Sequence, residues 1–237
     1  MSSHKALTGV HNYVEFKEET IVDRVKKMVA MRDAIEDVSR LEVKFSYGNR
    51  KTGQLVPSVS LIPIADCGNC KHCARGCYDV RNVCCYKASQ AMRANNSAIA
   101  HKDPEMFFND VSREMKKCRW FRFHAGADIL NDRYFEGMVR CAKENPHCKV
   151  LAFTKMFDIV NRWIDKNGDL PENLQIVFSE WRGMEIDNPH NLPTSRPVWK
   201  GDHIEGIWCG GNCSTCAVND CGCWTLKKGE RVLFEAH

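Results

Sequence analysis

The apolar and polar positions of the first half of the chain predict helices and a hairpin. Residues 18–40 carry apolar side chains at helical spacing, which is typical of an amphipathic helix packed on a core. Residues 41–47 alternate between apolar and polar positions, and residues 56–64 form an apolar run, so two strands joined by a glycine-containing turn are predicted. Further helices are predicted over residues 79–97 and 103–117.

From residue 120 onward, strands and helices alternate. Residues 120–124, 149–154 and 174–178 are short apolar strands by pattern, and residues 132–143 and 156–166 between them are helical. Strands joined by single helices are typical of parallel βαβ units. The sequence therefore predicts an α/β fold. It would be a partial (β/α) barrel or open parallel sheet, with an N-terminal helix and hairpin and a cysteine-rich C-terminal module.

The regular alternation stops near residue 181. Residues 182–203 contain three prolines and little periodicity, which indicates a surface loop or linker. A cysteine-rich stretch follows. We therefore expect an α/β core over residues 1–200 that carries the first cysteine cluster, and a cysteine-rich module over residues 201–237 packed on that core.

Composition narrows the class of protein only slightly. The chain has 237 residues, of which 43% are hydrophobic and 27% charged, which is ordinary for a globular protein with a sizeable core. The net charge of +4 is far from the basic footprint of a dedicated nucleic-acid binder. There is no apolar run long enough to cross a bilayer and no apolar signal core, so a cytoplasmic protein without a membrane partner is expected.

The 14 cysteines are the unusual feature of the composition. Nine of them lie in two short windows, residues 67–77 and 209–223. In a chain without an export signal, cysteines clustered at short spacing are usually metal ligands. The other five are expected to act mostly as small buried apolar residues: Cys84, Cys85, Cys118, Cys141 and Cys148.

The first cluster contains Cys67, Cys70, Cys73 and Cys77. Its C-x2-C-x2-C-x3-C spacing matches the run of bacterial ferredoxins without the final proline, so we interpret it as a 4Fe-4S site, with zinc as the rival. Four cysteine ligands would close the cluster. Three, namely Cys67, Cys73 and Cys77, would leave one iron open to a substrate or to S-adenosylmethionine. The spacing does not choose between these two schemes.

The second cluster supplies five candidate ligands, one more than a single site needs: Cys209, Cys213, Cys216, Cys221 and Cys223. Cys213 and Cys216 form a C-x2-C pair, and Cys221 or Cys223 would complete the site. A second 4Fe-4S cluster and a structural zinc ion are nearly equally favoured, since both commonly hold a chain terminus in place. We expect a structural role first.

Polar residues follow each of the three later strands, where the active sites of βα-barrels lie. The candidates for catalysis are His124, Asp128, Lys155 and Glu180, and those for cofactor contacts are Gly126, Asp128, Thr154 and Ser179. The alternative is that these groups only cap helices and satisfy loop backbones. That alternative is favoured for any single residue, whereas a functional role is favoured for the rim as a whole.

Several short motifs resemble the phage "gene product 88" family. They are the stretch Phe-Ser-Tyr-Gly-Asn-Arg-Lys-Thr-Gly from residue 45, Ser-Leu-Ile-Pro from residue 60, Cys-Tyr at residue 77, Phe-Arg-Phe-His-Ala-Gly-Ala-Asp from residue 121, Phe-Thr-Lys from residue 153, and the C-terminal cysteines with their Cys-Trp and final histidine. The resemblance covers residues 41–237. It implies an origin in phages or mobile elements and names relatives without naming a reaction.

That family is in turn distantly similar to radical S-adenosylmethionine enzymes, which place a three-cysteine loop after the first barrel strand and a glycine-acidic motif after the second. Here the cysteine loop follows residues 56–64 and Gly126-Ala-Asp128 follows residues 120–124, although the cysteine spacing is not CxxxCxxC and Gly-Ala-Asp stands in place of Gly-Gly-Glu.

This similarity implies an iron–sulfur enzyme in which the reduced cluster cleaves S-adenosylmethionine and a radical abstracts hydrogen from the substrate. The alternative is a non-enzymatic iron–sulfur or zinc-stapled binding protein that engages nucleic acid. The substrate class, a small molecule or nucleic acid, and the oligomeric state stay open.

Overall fold

The computed structural model describes residues 18–48, 52–68, 71–83 and 86–236. At its centre lies a seven-stranded sheet in which every strand pairs in parallel with its neighbours. The spatial order is β1-β2-β3-β4-β5-β7-β6, with β1 Ser58–Val59, β2 Trp120–Phe123, β3 Lys149–Thr154, β4 Leu174–Ser179, β5 Thr194–Val198, β6 Ile207–Trp208 and β7 Arg231–Glu235. The sheet is open, which confirms the predicted α/β class.

Helices lie between several of the strands, and some of them, such as α4 and α5, begin at a residue whose side chain caps the helix. They are α1 Glu18–Asp33, α2 Tyr78–Val83, α3 Lys87–Lys102, α4 Pro104–Met115, α5 Asp132–Glu144, α6 Phe157–Asn167 and α7 Cys213–Val218, with short 3-10 turns at Ala74–Gly76 and Gly222–Trp224. Asp103 caps α4 by accepting a bond from Met106 N, and Asn131 caps α5 in the same way at Tyr134 N. The predictions for α4, α5 and α6 are therefore accurate to about two residues.

The predicted helix over residues 79–97 is instead two helices, α2 and α3. The predicted loop over residues 182–203 contains strand β5. Its prolines hide it from pattern analysis, because proline cannot donate a hydrogen bond within a sheet. Accordingly, β5 pairs with β4 only at Thr194 and Ser195, before Pro197.

In place of the predicted N-terminal hairpin, the described residues 41–48 and 52–64 include an isolated antiparallel bridge between Ser46 and Ser58. Asn96, buried on α3, supplies the missing pairing. Its side chain accepts from Lys44 N at 2.8 Å and donates to Lys44 O at 2.7 Å and to Ser60 O at 3.2 Å. An amide side chain from a helix thus replaces a strand partner, which the alternating pattern of residues 41–47 does not reveal.

The two faces of the sheet are covered by different parts of the chain. Along β3, Val150 and Ala152 join the apolar core formed with helices α3 to α6, whereas Leu151 and Phe153 point to the opposite face. There the C-terminal segment packs Trp224, Leu226 and other side chains over the sheet. Cys141 and Cys148, expected to be buried apolar residues, lie in the helix-side core.

The described helices include none that combines the length and the apolar character needed to cross a membrane.

We expect Asn96→Ala to destabilise the protein by roughly 2–4 kcal/mol, because it leaves several buried backbone groups without partners. Asn95→Ala, on the preceding residue of the same helix, removes a bond to Glu42 O and a longer one to Asn96 Oδ1, and should cost about 1 kcal/mol. Urea unfolding of both variants measures the difference. Equal losses would show that Asn96 does not hold the 41–46 segment.

Candidate functional site

A cavity of about 190 Å³ opens at the carboxyl edge of the sheet. Since the strands are parallel, the ends of β2, β3 and β4 meet there. The first cysteine loop closes one side, and residues of β7 close another. The lining includes three cysteines of the first cluster and most of the residues predicted for catalysis or cofactor contacts: Cys67, Cys73, Cys77, His124, Gly126, Asp128, Thr154, Lys155 and Ser179.

Asp66 fixes the start of the cysteine loop. Its buried carboxylate accepts a bond from Ile62 N at 2.8 Å and lies 2.9 Å from His101 Nε2. Its backbone carbonyl accepts a bond from Asp128 N at 3.2 Å. The loop is therefore joined directly to the turn that follows β2.

Three thiols of the first cluster face the cavity, while Cys70 lies outside the described residues. Burial raises the pKa of Cys67 well above its usual range, and the charges of Asp128 and Cys77 raise it further. Burial, followed by the charge of Asp79, raises the pKa of Cys77 to about 12. A metal that binds these sulfurs must displace their protons.

The donor chemistry of this loop suits an iron–sulfur cluster, whose protein ligands are cysteine thiolates. Within the described ranges, no group of three or more His, Cys, Asp or Glu side chains is arranged to hold a metal ion. A polynuclear cluster makes a different demand, because its thiolates bind separate irons and stand farther apart than the ligands of one ion. Cys67, Cys73 and Cys77 have the donor chemistry of such a cluster, and they line the same cavity.

Asp128 is a connecting residue of the cavity wall. One carboxylate oxygen accepts bonds from Ile129 N at 2.7 Å and Thr154 Oγ1 at 2.6 Å, and the other accepts from Lys155 N at 2.8 Å. Burial raises the pKa of Asp128, while these hydrogen bonds act in the opposite direction. The carboxylate thus fastens the turn after β2 to the end of β3.

Lys155 and Ser179 form a polar pair on neighbouring strand ends. Lys155 Nζ donates to Ser179 Oγ at 2.9 Å, and both side chains line the cavity. Glu180 is placed differently. It lies 2.9 Å from Arg231 Nε and 3.6 Å from Arg196 Nη1, and it is not among the residues that line the cavity. Its observed contacts tie together β4, β5 and β7.

His124 adopts a left-handed backbone conformation with φ of 56° directly after β2. Its Nε2 lies 3.0 Å from the Tyr134 hydroxyl, and its buried Nδ1 has no hydrogen-bond partner among the described residues. Burial, assisted by the charge of Arg122, lowers the pKa of His124 to about 3. The imidazole is therefore neutral at physiological pH, so it can offer a hydrogen bond but carries no charge.

Gly126 lies against a buried ion pair. Arg93 donates to both carboxylate oxygens of Asp79, at 2.6 and 2.7 Å. A Cβ on Gly126 would lie 1.8 Å from Asp79 Oδ2 and 2.1 Å from Arg93 Nη1. The glycine permits this close approach, which is a packing reason for its position beside the cavity.

Sequence reasoning missed Arg122, which also lines the cavity. It is only 3% exposed and lies within β2, and its Nη1 donates to Cys213 Sγ of the second cluster at 3.3 Å. A charged residue inside the apolar strand Trp-Phe-Arg-Phe was the available signal. A charged residue in a strand that is otherwise apolar indicates a buried charge, and a buried charge is almost always paired with another group.

The fold and the site define an open, parallel α/β protein with cysteine thiols at the carboxyl edge of its sheet. The chain belongs to the gene product 88 family, whose family model matches residues 35–196. The match includes the first cysteine loop and the strand ends β2 to β4 but stops before the second cysteine cluster. Neither a curated protein nor a solved structure matches the chain.

Gly126→Ala should destabilise the protein by on the order of 3 kcal/mol, because the added methyl group must displace a buried ion pair. At Gly183, with φ of 75°, an added Cβ would meet nothing within 4 Å. Gly183→Ala should therefore cost only about 1 kcal/mol of backbone strain. Urea unfolding measures both values, and equal losses would contradict the packing role of Gly126.

The lowered pKa of His124 predicts a loss of stability in acid. Between pH 6.5 and about 3, the unfolded chain binds a proton at His124 that the folded chain does not bind. Stability should therefore fall by about 1.4 kcal/mol per pH unit as the pH drops through this window, or about 2 kcal/mol from pH 6.5 to 5.

His124→Gln should remove this part of the pH dependence, whereas His147→Gln, at an exposed position, should keep it. Urea unfolding at pH 7, 6 and 5 compares the three proteins. A His124→Gln variant with the slope of the wild type would show that His124 takes up a proton in the folded state.

Proposed function

We propose that this protein is an iron–sulfur enzyme of the radical S-adenosylmethionine-like kind. The observation that carries the proposal is that Cys67, Cys73 and Cys77 line one cavity together with the ends of three parallel strands. A cluster held by these thiols would lie beside polar groups able to bind a small cofactor. Cysteines with a purely structural role need no such cavity.

Cys67, Cys73 and Cys77 would hold a 4Fe-4S cluster, with Cys70 outside the ligand set. When bound, a reduced cluster with one open iron supplies an electron for cleavage of S-adenosylmethionine. Asp66 contributes by fixing the loop, since it joins the loop to the turn after β2. Asp128 keeps that turn in register with β3.

The remaining cavity residues suit a zwitterionic cofactor with an aromatic part. The Lys155–Ser179 pair offers an ammonium and a hydroxyl group to a carboxylate. Phe153, Trp181 and Phe234 supply apolar wall that limits access of water. His124, neutral and buried, can direct one hydrogen bond to the ligand.

One observation favours nucleic acid as the substrate or as the partner of a non-enzymatic binding protein. Trp181 and Trp199 pack edge to face at 5.3 Å beside the cavity, and Arg182 lies 4.5 Å from the Trp199 ring. Aromatic rings with a nearby guanidinium stack well on unpaired bases. The test below separates the enzyme from the binding protein.

The test is iron and sulfide content of anaerobically purified protein, followed by EPR after dithionite reduction with and without S-adenosylmethionine. The first site should hold about four irons and four sulfides, and its EPR signal should shift when the cofactor is added. Cys67→Ser, Cys73→Ser and Cys77→Ser should each lose this signal. Cys118→Ser, which alters a cysteine outside both clusters, should keep it.

Cys70→Ser distinguishes an open cluster from a closed one. If three cysteines bind the cluster, Cys70→Ser keeps its iron and its response to S-adenosylmethionine. Loss of iron in this variant would indicate a closed cluster and contradict the enzyme. Zinc without iron after anaerobic reconstitution would also contradict it, and would leave a metal-stapled binding protein.

A further inference from the structure

Two cysteines outside both clusters lie side by side at the amino edge of the sheet. Cys118 lies between α4 and β2, and Cys148 comes directly before β3. Their sulfur atoms are 4.0 Å apart. Trp120 of β2 pairs with Lys149 of β3, so the two cysteines precede adjacent strands. This edge is opposite to the cavity, and neither cysteine is among the residues that line it.

The backbone beside these two cysteines suits a disulfide bond. Neighbouring strands lie about 4.8 Å apart, and the Cα atoms of a disulfide are usually about 4.4–6.8 Å apart. Lys149 N donates to Arg119 O at 2.8 Å, so the chain segments are already paired next to the two thiols. Bonded sulfurs are about 2.05 Å apart, so the sulfurs of Cys118 and Cys148 must approach by about 2 Å. A change of side-chain rotamer supplies this approach while the strands stay in place.

The two thiols differ in their access to solvent and in their protonation. Cys148 is fully buried, whereas Cys118 is half-buried. The hydrogen bond from Cys148 lowers the pKa of Cys118, and the charge of Lys117 assists, while burial and the charge of Glu114 act in the opposite direction. The same hydrogen bond, together with burial, raises the pKa of Cys148. Cys118 is therefore the thiol that ionises and meets an oxidant first, and Cys148 is the partner that keeps its proton.

Cys141 is a matched cysteine without these features. It is fully buried on α5, and its sulfur donates to the backbone carbonyl of Phe108 at 3.3 Å rather than to a second thiol. Burial raises the pKa of Cys141 to about 12. A buried, protonated thiol of this kind is inert to oxidants, so Cys141 serves as the internal control.

We propose that Cys118 is a site of oxidation by hydrogen peroxide and that Cys148 resolves the oxidised residue as a reversible disulfide. In the first step the Cys118 sulfur attacks one peroxide oxygen and the O–O bond breaks. Cys118 becomes a sulfenic acid, and the departing oxygen leaves as water. In the second step the Cys148 sulfur attacks the Cys118 sulfur, and hydroxide leaves as water with the proton of Cys148. Two thiols lose two electrons and two protons, and one peroxide becomes two waters.

This thiol pair does not depend on the proposed iron–sulfur function, because both cysteines lie outside the two clusters and outside the cavity. The disulfide closes a loop over residues 118–148, which contains β2, the turn at Asp128 and α5. It joins the amino ends of two strands whose carboxyl ends form the cavity. Oxidation therefore adds a covalent link to the part of the sheet that supports the candidate site.

The test treats the full-length protein with a small molar excess of hydrogen peroxide and then blocks the remaining thiols with N-ethylmaleimide. Mass spectrometry of unreduced peptides should find Cys118 linked to Cys148, and dithiothreitol should release the link. Cys141 should be recovered as the maleimide adduct after denaturation. Absence of the link, or oxidation of Cys141 to the same extent as Cys118, would overturn the proposal. Modification of the cluster cysteines is read from other peptides, so a failed iron–sulfur proposal leaves this result unchanged.

Single substitutions assign the two roles, with far-UV circular dichroism as the check on folding. In Cys148→Ser, dimedone, which labels sulfenic acids, should label Cys118, because the resolving thiol is gone. In Cys118→Ser, dimedone should leave Cys148 unlabelled, because that thiol is buried and protonated. Cys141→Ser should form the link as the wild type does. Dimedone on Cys148 in Cys118→Ser would overturn the assignment of Cys118 as the oxidised residue. The link itself is measured in the wild type, so that result stands whether or not a variant folds.

Discussion

The carboxylate of Asp128 and its own backbone N–H hold the candidate site together. The carboxylate binds Ile129 N, Thr154 Oγ1 and Lys155 N, while the N–H binds the carbonyl of Asp66 at the start of the cysteine loop. Three segments far apart in sequence are therefore fixed at one edge of the sheet. Such a buried acceptor needs several donors, because an unsatisfied carboxylate in a cavity wall would be costly. The sequence predicts Asp128 as a ligand contact, but its observed hydrogen bonds give it a structural role. Asp128 positions the neighbouring groups that a ligand in the cavity would contact.

Charge balance links this site to the C-terminal segment. Arg122 lines the cavity and also donates to Cys213 on the second face of the sheet. Its guanidinium therefore joins the strand that ends at the cavity to the C-terminal segment. The Asp79–Arg93 pair is different, since its two charges are balanced locally by two short hydrogen bonds. Arg93 is therefore balanced by a carboxylate beside it, whereas the hydrogen bond of Arg122 goes to a thiol.

Periodicity and helix caps, which depend on neighbouring residues in the sequence, were sufficient to predict several helices and strands. The strand at β3 and the helices α4 to α6 follow from periodicity, and the caps Asp103 and Asn131 fix where two of the helices begin. Parallel pairing then brought His124, Asp128, Lys155 and Ser179 to one cavity, as expected. Tertiary contacts decided the rest. Asn96 replaced a strand partner, Glu180 bound arginines from β5 and β7, and Gly126 faced an ion pair whose members lie on α2 and α3. None of these pairings leaves a trace in the spacing of the residues concerned.

The cavity is completed by residues outside the range that defines the family. Strand β7 pairs along its whole length with β5 and places Phe234 and Glu235 in the cavity wall. The same segment covers Leu151 and Val177 on the second face, which would otherwise expose apolar surface. The C-terminal cysteines are joined to this covering layer, since Trp224 Nε1 donates to Cys213 O at 3.1 Å and packs in the same apolar core. The C-terminal cysteines and the strand that completes the cavity wall therefore belong to one covering layer on the second face of the sheet.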